Sequence, residues 1–317
     1  MNESLAQPLG VDSAPVGPWA RAEKGPRGTR LVATDPPKGA RLAPGDELTI
    51  RTVAPRAVYG VELVADGKLA LAIGDGRAYS IRVPEMSVVH NRAPAGLDRI
   101  DGATVANAGL LHGDEGWRIV VLPSLGDIAT DLGDGPVALR PDARQVAVAI
   151  DGRIEEFDLT SGDTVARHGS HAALTYAGDG SLLVANGAAL TWPGGPAADG
   201  SPIVAARAAA RAWRAVARHA DGTVSIWGLE ESGPQKMAEF MPPLGGPFSL
   251  GMSPDGEQVG VATSFAEPAG AAVLRAEDGA VVRFVEGARA IGLRGDGSLV
   301  LGAEWGIAFM RPMEDST

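Results

Sequence analysis

The first candidates for chemistry in this chain are five histidines: His90, His112, His168, His171 and His219. Two fall together in "HGSH" (168–171), where loop imidazoles could ligate zinc or iron. A metal there needs a third ligand from elsewhere in the fold, and none accompanies the pair locally. The acids Asp127, Asp131 and Asp134 in "GDIATDLGDG" offer hard oxygen ligands but lack the spacing of an EF-hand loop. Repeated Asp-Gly pairs invite a calcium reading too, yet tight turns use these residues for backbone geometry alone. No cysteine occurs, which removes disulfides, thiolate metal sites and cysteine nucleophiles together. Nucleophile-elbow, Ser-x-x-Lys, Walker and dinucleotide patterns are missing as well. The expectation is no catalytic residue, no metal and no cofactor. Residues suited to binding remain: Trp117, Trp305 and Trp19, and an arginine row of Arg207, Arg211, Arg214 and Arg218 in "IVAARAAARAWRAVARHADG" (203–222).

What positions these residues is a repeat. "GVELVADGKLALA" (60–72), "VALRPDARQVAVA" (137–149), "LTYAGDGSLLVA" (174–185), "LGMSPDGEQVGVA" (250–262) and "IGLRGDGSLVLGA" (291–303) share one pattern. Each is an alternating apolar run, a turn built on Asp, and a second run rich in small and β-branched residues. The turn aspartates are Asp66, Asp142, Asp179, Asp255 and Asp296, and two of the four gaps between them are about double the others. Decayed copies near residues 104 and 217 complete a count of seven units of roughly 38 residues, a period that marks propellers, solenoids or arrays.

A second landmark counts the same way. A further tight turn follows the second run of each unit: Asp75-Gly76, 114–116, Asp151-Gly152, Asn186-Gly187, Asp221-Gly222, 267–270 and 304–306. Such pairs between alternating apolar runs are strong hairpin signals. Beyond them come bulky residues expected in the core: Ile81, Val121, Phe157, Trp192, Trp227, Leu274 and Met310. Period-two alternation argues against helical repeats. The Ala-rich stretch dissents by propensity, and we expect a strand at 213–219 with a helical turn around 206–212.

"DGTVSIWGL" (221–229) resembles the strand ending in Trp-Asp of WD-repeat β-propellers, and "DGRIEEFDL" (151–159) resembles it with Phe157-Asp158. The "SPDG" at 253–256 is similar to the turn between the first two strands of such repeats. The likeness covers roughly residues 46–317. It implies an all-β fold: a seven-bladed β-propeller of four-stranded antiparallel blades, divergent and of bacterial type. No Gly-His dipeptide occurs, so the family's Asp–His–Ser–Trp network is expected to be absent. The last unit is one strand short, and "DELTIRTVA" (46–54) is expected to supply it, closing the ring with an N-terminal strand. Residues 1–45 read as an irregular Pro/Gly-rich arm, in which "TRLVATD" (29–35) could add an edge strand.

Function is less determined than fold, because one architecture hosts many roles. A net charge of −11 excludes the basic stripe of a nucleic-acid surface. No apolar run is long enough for a transmembrane helix, and no basic-then-apolar secretory signal is seen, so no membrane insertion and a cytoplasmic location are expected. The favoured reading is a non-enzymatic scaffold or assembly subunit that binds protein partners. Trp117 and Trp305 lie at turns on the face between second and third strands, and serve there as anchors, with the arginine row as a second surface. The alternatives are a propeller enzyme, either a lactonase-like hydrolase or a cofactor-dependent dehydrogenase, and a small-ligand sensor. Both would use the central channel, which is expected to hold Glu62 as its only acid, with Arg140 and Arg294.

Overall fold

The structure, a computed structural model, describes the strand backbones at 20–25, 28–33 and 47–50, and residues 58–310 except 84, 170, 245, 247, 264–268 and 305. Three strands come first: β1 (Ala20–Gly25), β2 (Gly28–Ala33) and β3 (Glu47–Ile50). Blade 1 is β4 (Val58–Val64), β5 (Leu69–Gly74), β6 (Arg77–Arg82) and β7 (Ser87–Arg92). Blade 2 is β8 (Arg99–Gly102), β9 (Ala108–Gly113), β10 (Gly116–Val121) and β11 (Gly126–Ala129). Blade 3 is β12 (Val137–Leu139), β13 (Gln145–Ile150), β14 (Arg153–Asp158) and β15 (Thr164–His168). Blade 4 has three strands, β16 (Leu174–Tyr176), β17 (Leu182–Asn186) and β18 (Ala189–Thr191). Blade 5 is β19 (Ile203–Ala208), β20 (Arg214–His219), β21 (Val224–Glu230) and β22 (Gly233–Phe240). Blade 6 is β23 (Ser249–Met252), β24 (Gln258–Ala262), β25 (Gly270–Arg275) and β26 (Val281–Glu286). Blade 7 holds β27 (Ala288–Leu293), β28 (Leu299–Ala303) and β29 (Gly306–Met310).

Within each blade the strands pair antiparallel in chain order, lettered a to d from the axis outward. The a strands touch in the order β4, β8, β12, β16, β19, β23, β27 and back to β4, which closes a seven-bladed propeller. The ring is joined by β3, which pairs with β29 (Phe309 opposite Thr49, Met310 opposite Leu48) as the fourth strand of blade 7. The hairpin β1–β2 then extends that sheet to six strands: β2 falls where 29–35 was expected to add an edge strand, and 20–25 is a strand as well rather than irregular arm. The rest of 1–57 lies outside the described residues.

Local chemistry explains the turns. At Asp142, Asp179, Asp255 and Asp296 the carboxylate accepts the N–H two residues on, at 3.1, 2.9, 3.1 and 3.0 Å. That Asx turn is why aspartate recurs at the a–b connection. At Asp75-Gly76 and Asp151-Gly152 both residues have positive φ, as a two-residue hairpin between twisted strands requires.

The core lies between blades. Separate apolar clusters fill the junctions, for example Leu71, Ile73 and Leu111 with Val120 between blades 1 and 2, and Val216 and Ile226 with Val259 between blades 5 and 6. In blades 1 and 2 the strands β5, β9 and β10 are buried on both faces and so read as nearly continuous apolar runs. Here one expectation is corrected: Val120 is buried and Val121 is exposed. Gly116 begins β10 rather than ending the turn, and a one-residue shift along a strand reverses the face.

The outermost strands carry a recurrent device. In blades 1, 2, 3, 5 and 6 the c–d register shifts at one equivalent place, beside Ile81, Val120, Phe157, Trp227 and Leu274. The extra residues on strand d are Val89, Ile128, Val165, Met237 and Val282, all of them exposed. Bulges blunt an open edge against strand addition, and they place these apolar side chains singly around the rim. In blade 4, "WPGGPAADG" (192–200) occupies the place of strand d, where prolines without N–H cannot extend a ladder. It is held by Asn186 Nδ2 donating to the Gly195 carbonyl and by the Ala188 N–H donating to Ala198. Trp192 follows the end of β18 and packs half-buried on the blade 4–5 cluster.

The Ala-rich stretch is strand on both sides of its turn, and 203–208 is not helical. Ala206, Ala209, Ala215 and Ala217 are buried, and small side chains let neighbouring blades approach. Packing overrides helix propensity here. Among the described residues there is no helix, and none long and apolar enough to cross a membrane.

Candidate functional site

Trp117, expected as an exposed anchor, is buried at 7% exposure. The d–a connection of its own blade folds over it: its N–H donates to the Gly133 carbonyl and its indole Nε1 to that of Gly135 (2.9 and 3.1 Å). His112 packs on the ring at 4.9 Å and the Arg99 guanidinium covers it at 5.4 Å. Trp305 and Trp19 lie outside the described residues.

The arginine row does not form one surface. Arg207 points into the channel between Asp101 and Glu62, at 3.2 and 3.6 Å. Arg211 is exposed and crosses from blade 5 to Asp66 of blade 1 (2.9 Å). Arg214 and Arg218 donate to the Gly256 and Phe248 carbonyls of blade 6, at 3.2 and 2.7 Å. Strand β19, the intervening turn and strand β20 send side chains spaced 4, 3 and 4 residues apart to different places, so helical spacing does not apply.

The paired histidines separate likewise. His168 meets Glu156 (2.7 Å), which also accepts from the Tyr176 hydroxyl (2.7 Å). Burial and the neighbouring Glu156 push that phenol well above its ordinary value. His171 faces the Ala185 carbonyl (3.2 Å). The three acids also diverge: Asp127 takes a two-point pair from Arg92, Asp131 accepts from Thr130, and Asp134 faces His112. Among the described residues no group of three or more His, Asp or Glu is placed to hold a metal. His112 itself sits 2.5 Å from Asp98.

Blade 5 holds a shorter polar chain than the Asp–His–Ser–Trp network expected to be absent, with no aspartate hydrogen-bonded into it among the described residues. Ser225 Oγ accepts from Trp227 Nε1 and lies 2.8 Å from His219 Nε2, while His219 Nδ1 reaches the Ser201 carbonyl (2.7 Å). The histidine comes from the end of β20 rather than from a Gly-His dipeptide.

The channel is the concavity that all seven blades share. On the face carrying the b–c turns it opens into a vestibule of about 370 Å³ to which all seven blades contribute. On the a–b face it narrows to about 100 Å³, lined by Asp66, Arg211 and Arg294. Glu62, Asp101 and Arg207 border both spaces and form a clamp across the axis. Burial pushes the Glu62 carboxyl up to about 8, with Arg207 opposing the rise and Asp101 adding to it. Glu62 is thus not the only acid, since Asp101 shares Arg207. Arg140 is turned toward Asp142 of its own turn (3.5 Å) and is absent from both linings.

Among the described residues the exposed tryptophan is Trp213, on the a–b turn of blade 5 at 54% exposure. It is the one aromatic among the exposed large apolar residues described. It borders a shallow groove of about 190 Å³ between blades 4 and 5, with Asp179, Arg211 and Leu229. The expected strand at 213–219 put this indole inside a blade, whereas β20 begins at Arg214 and leaves Trp213 on the turn. No family model matches this chain, and no curated protein matches it in sequence.

Proposed function

We propose that this protein is a non-enzymatic interaction platform, a subunit of a multiprotein assembly that holds a partner protein on its a–b turn face. The observation that carries this reading is the exposed Trp213 indole beside the blade 4–5 groove. Large aromatics dominate interface energetics when they enter a partner's pocket, and Arg211 beside it is of the other favoured type. The net charge of −11 favours a basic or mixed partner surface and association that weakens with salt. The repeat pattern and the "DGTVSIWGL" strand support kinship with bacterial WD-repeat-like propellers. The cysteine-free composition supports a reducing compartment such as the cytoplasm.

The test is capture from the native host by wild type and by Trp213→Ala, read by mass spectrometry and repeated with the purified partner. Truncating a hot-spot indole costs roughly 2 kcal/mol or more, so binding should weaken at least about tenfold while folding is unchanged. Equal capture by both proteins overturns the assignment of this face.

A further inference from the structure

The wide vestibule holds three arginines, and acids answer two of them. Arg207 lies between Glu62 and Asp101, and Arg99 lies 3.6 Å from Asp98. Arg218 differs. It stands where blade 5 meets blade 6, donating one Nη1 hydrogen bond to the Phe248 carbonyl, with its guanidinium 5.4 Å from the centre of the Phe248 ring. Among the described residues no carboxylate pairs with it, and its Nε is buried without a partner. Burial lowers its pKa, with no acid to oppose the effect. A guanidinium nevertheless keeps its charge, so the cost of partly burying it stands unless an anion or water answers it. In a chain of net charge −11 the missing partner does not reflect a shortage of acids.

We propose that the vestibule binds a small organic monocarboxylate, with its two oxygens on the free Nη hydrogens of Arg218. The planar fork matches a carboxylate in geometry and charge. Val204, Leu174 and Leu250 line the same space and receive the apolar body of the ligand. A volume of about 370 Å³ is that of a small-molecule cavity. The clamp forms its floor, so entry is from the b–c face. Asp98 and Asp134 at the mouth and Asp101 at the floor repel additional negative charge, which selects a monoanion over a dianion.

The full chain is titrated calorimetrically with sodium propionate and, at matched ionic strength, with inorganic phosphate. Saturable propionate binding is expected, weaker by about tenfold or more in Arg218→Met and partly restored in Arg218→Lys, with phosphate weaker than propionate. No saturable binding, equal affinity in Arg218→Met, or phosphate binding as tightly as propionate each overturns the proposal. Should Arg218→Met fail to fold, phenylglyoxal modification of the wild type decides: propionate protects Arg218 if the site exists, and leaves it reactive if it does not. Trp213→Ala should bind propionate normally, which separates this site from the docking face.

Discussion

Ser225 provides the sharpest test of how blade 5 is held together. The residue is fully buried, and its Oγ accepts the Trp227 indole N–H at 2.8 Å. The hydroxyl also stands 2.8 Å from His219 Nε2. With His219 Nδ1–H donating to the Ser201 carbonyl, Nε2 is a lone pair and the serine O–H must donate to it. Ser225→Ala therefore leaves one buried donor and one buried acceptor without partners. Each costs about 1–3 kcal/mol, so a loss of roughly 2–6 kcal/mol is expected, well beyond the ~0.5 kcal/mol of an ordinary surface change. Equilibrium denaturation followed by circular dichroism reads it directly. Trp227→Phe removes the orphaned donor, so the double variant should cost at least about 1 kcal/mol less than the sum of the two single changes. A single-variant loss below about 0.5 kcal/mol, or strict additivity, would refute the network.

Three further outcomes follow from the geometry. The folded chain keeps a proton on Glu62 up to about pH 8, whereas the unfolded chain loses it near the ordinary 4.5. Stability should therefore fall as pH rises through that window, and Glu62→Gln should flatten the slope in denaturation midpoints across a pH series. Removing residues 1–55 deletes β3 and opens blade 7, so the thermal midpoint should drop sharply, while removing 1–27 deletes only β1 and should cost little. Equal shifts would contradict the closure. Trp117→Ala should lose about 3–5 kcal/mol by denaturation, as a buried aromatic does, while the exposed Trp213→Ala should lose almost none.

The number of blades was legible because the signals that count them are local. An Asx turn at Asp179 or Asp255 involves neighbours two residues apart, and an Asp-Gly hairpin sets its own backbone twist. Alternation then assigns strands without reference to the rest of the fold. Even β3 was recoverable, since a unit one strand short and an unassigned strand at the front imply one another. Where equivalence rested on counting along a strand, as at Val121, one residue of error sufficed to exchange the buried and exposed faces.

The site was not legible in the same way. Arg211 meets Asp66 across 145 residues, and Arg207 meets carboxylates of two other blades, because ring closure brings blade 5 opposite blades 1 and 2. No periodicity within a segment encodes that meeting. Trp117 and Trp213 are both tryptophans at or beside turns, yet a connecting segment roofs the first and leaves the second open. Sequence by itself determined the strands, the turns and the count of seven, through interactions that reach only a few residues along the chain. Which arginines line the channel, which lacks a counter-charge and which indole faces solvent were decided by how seven sheets pack around one axis.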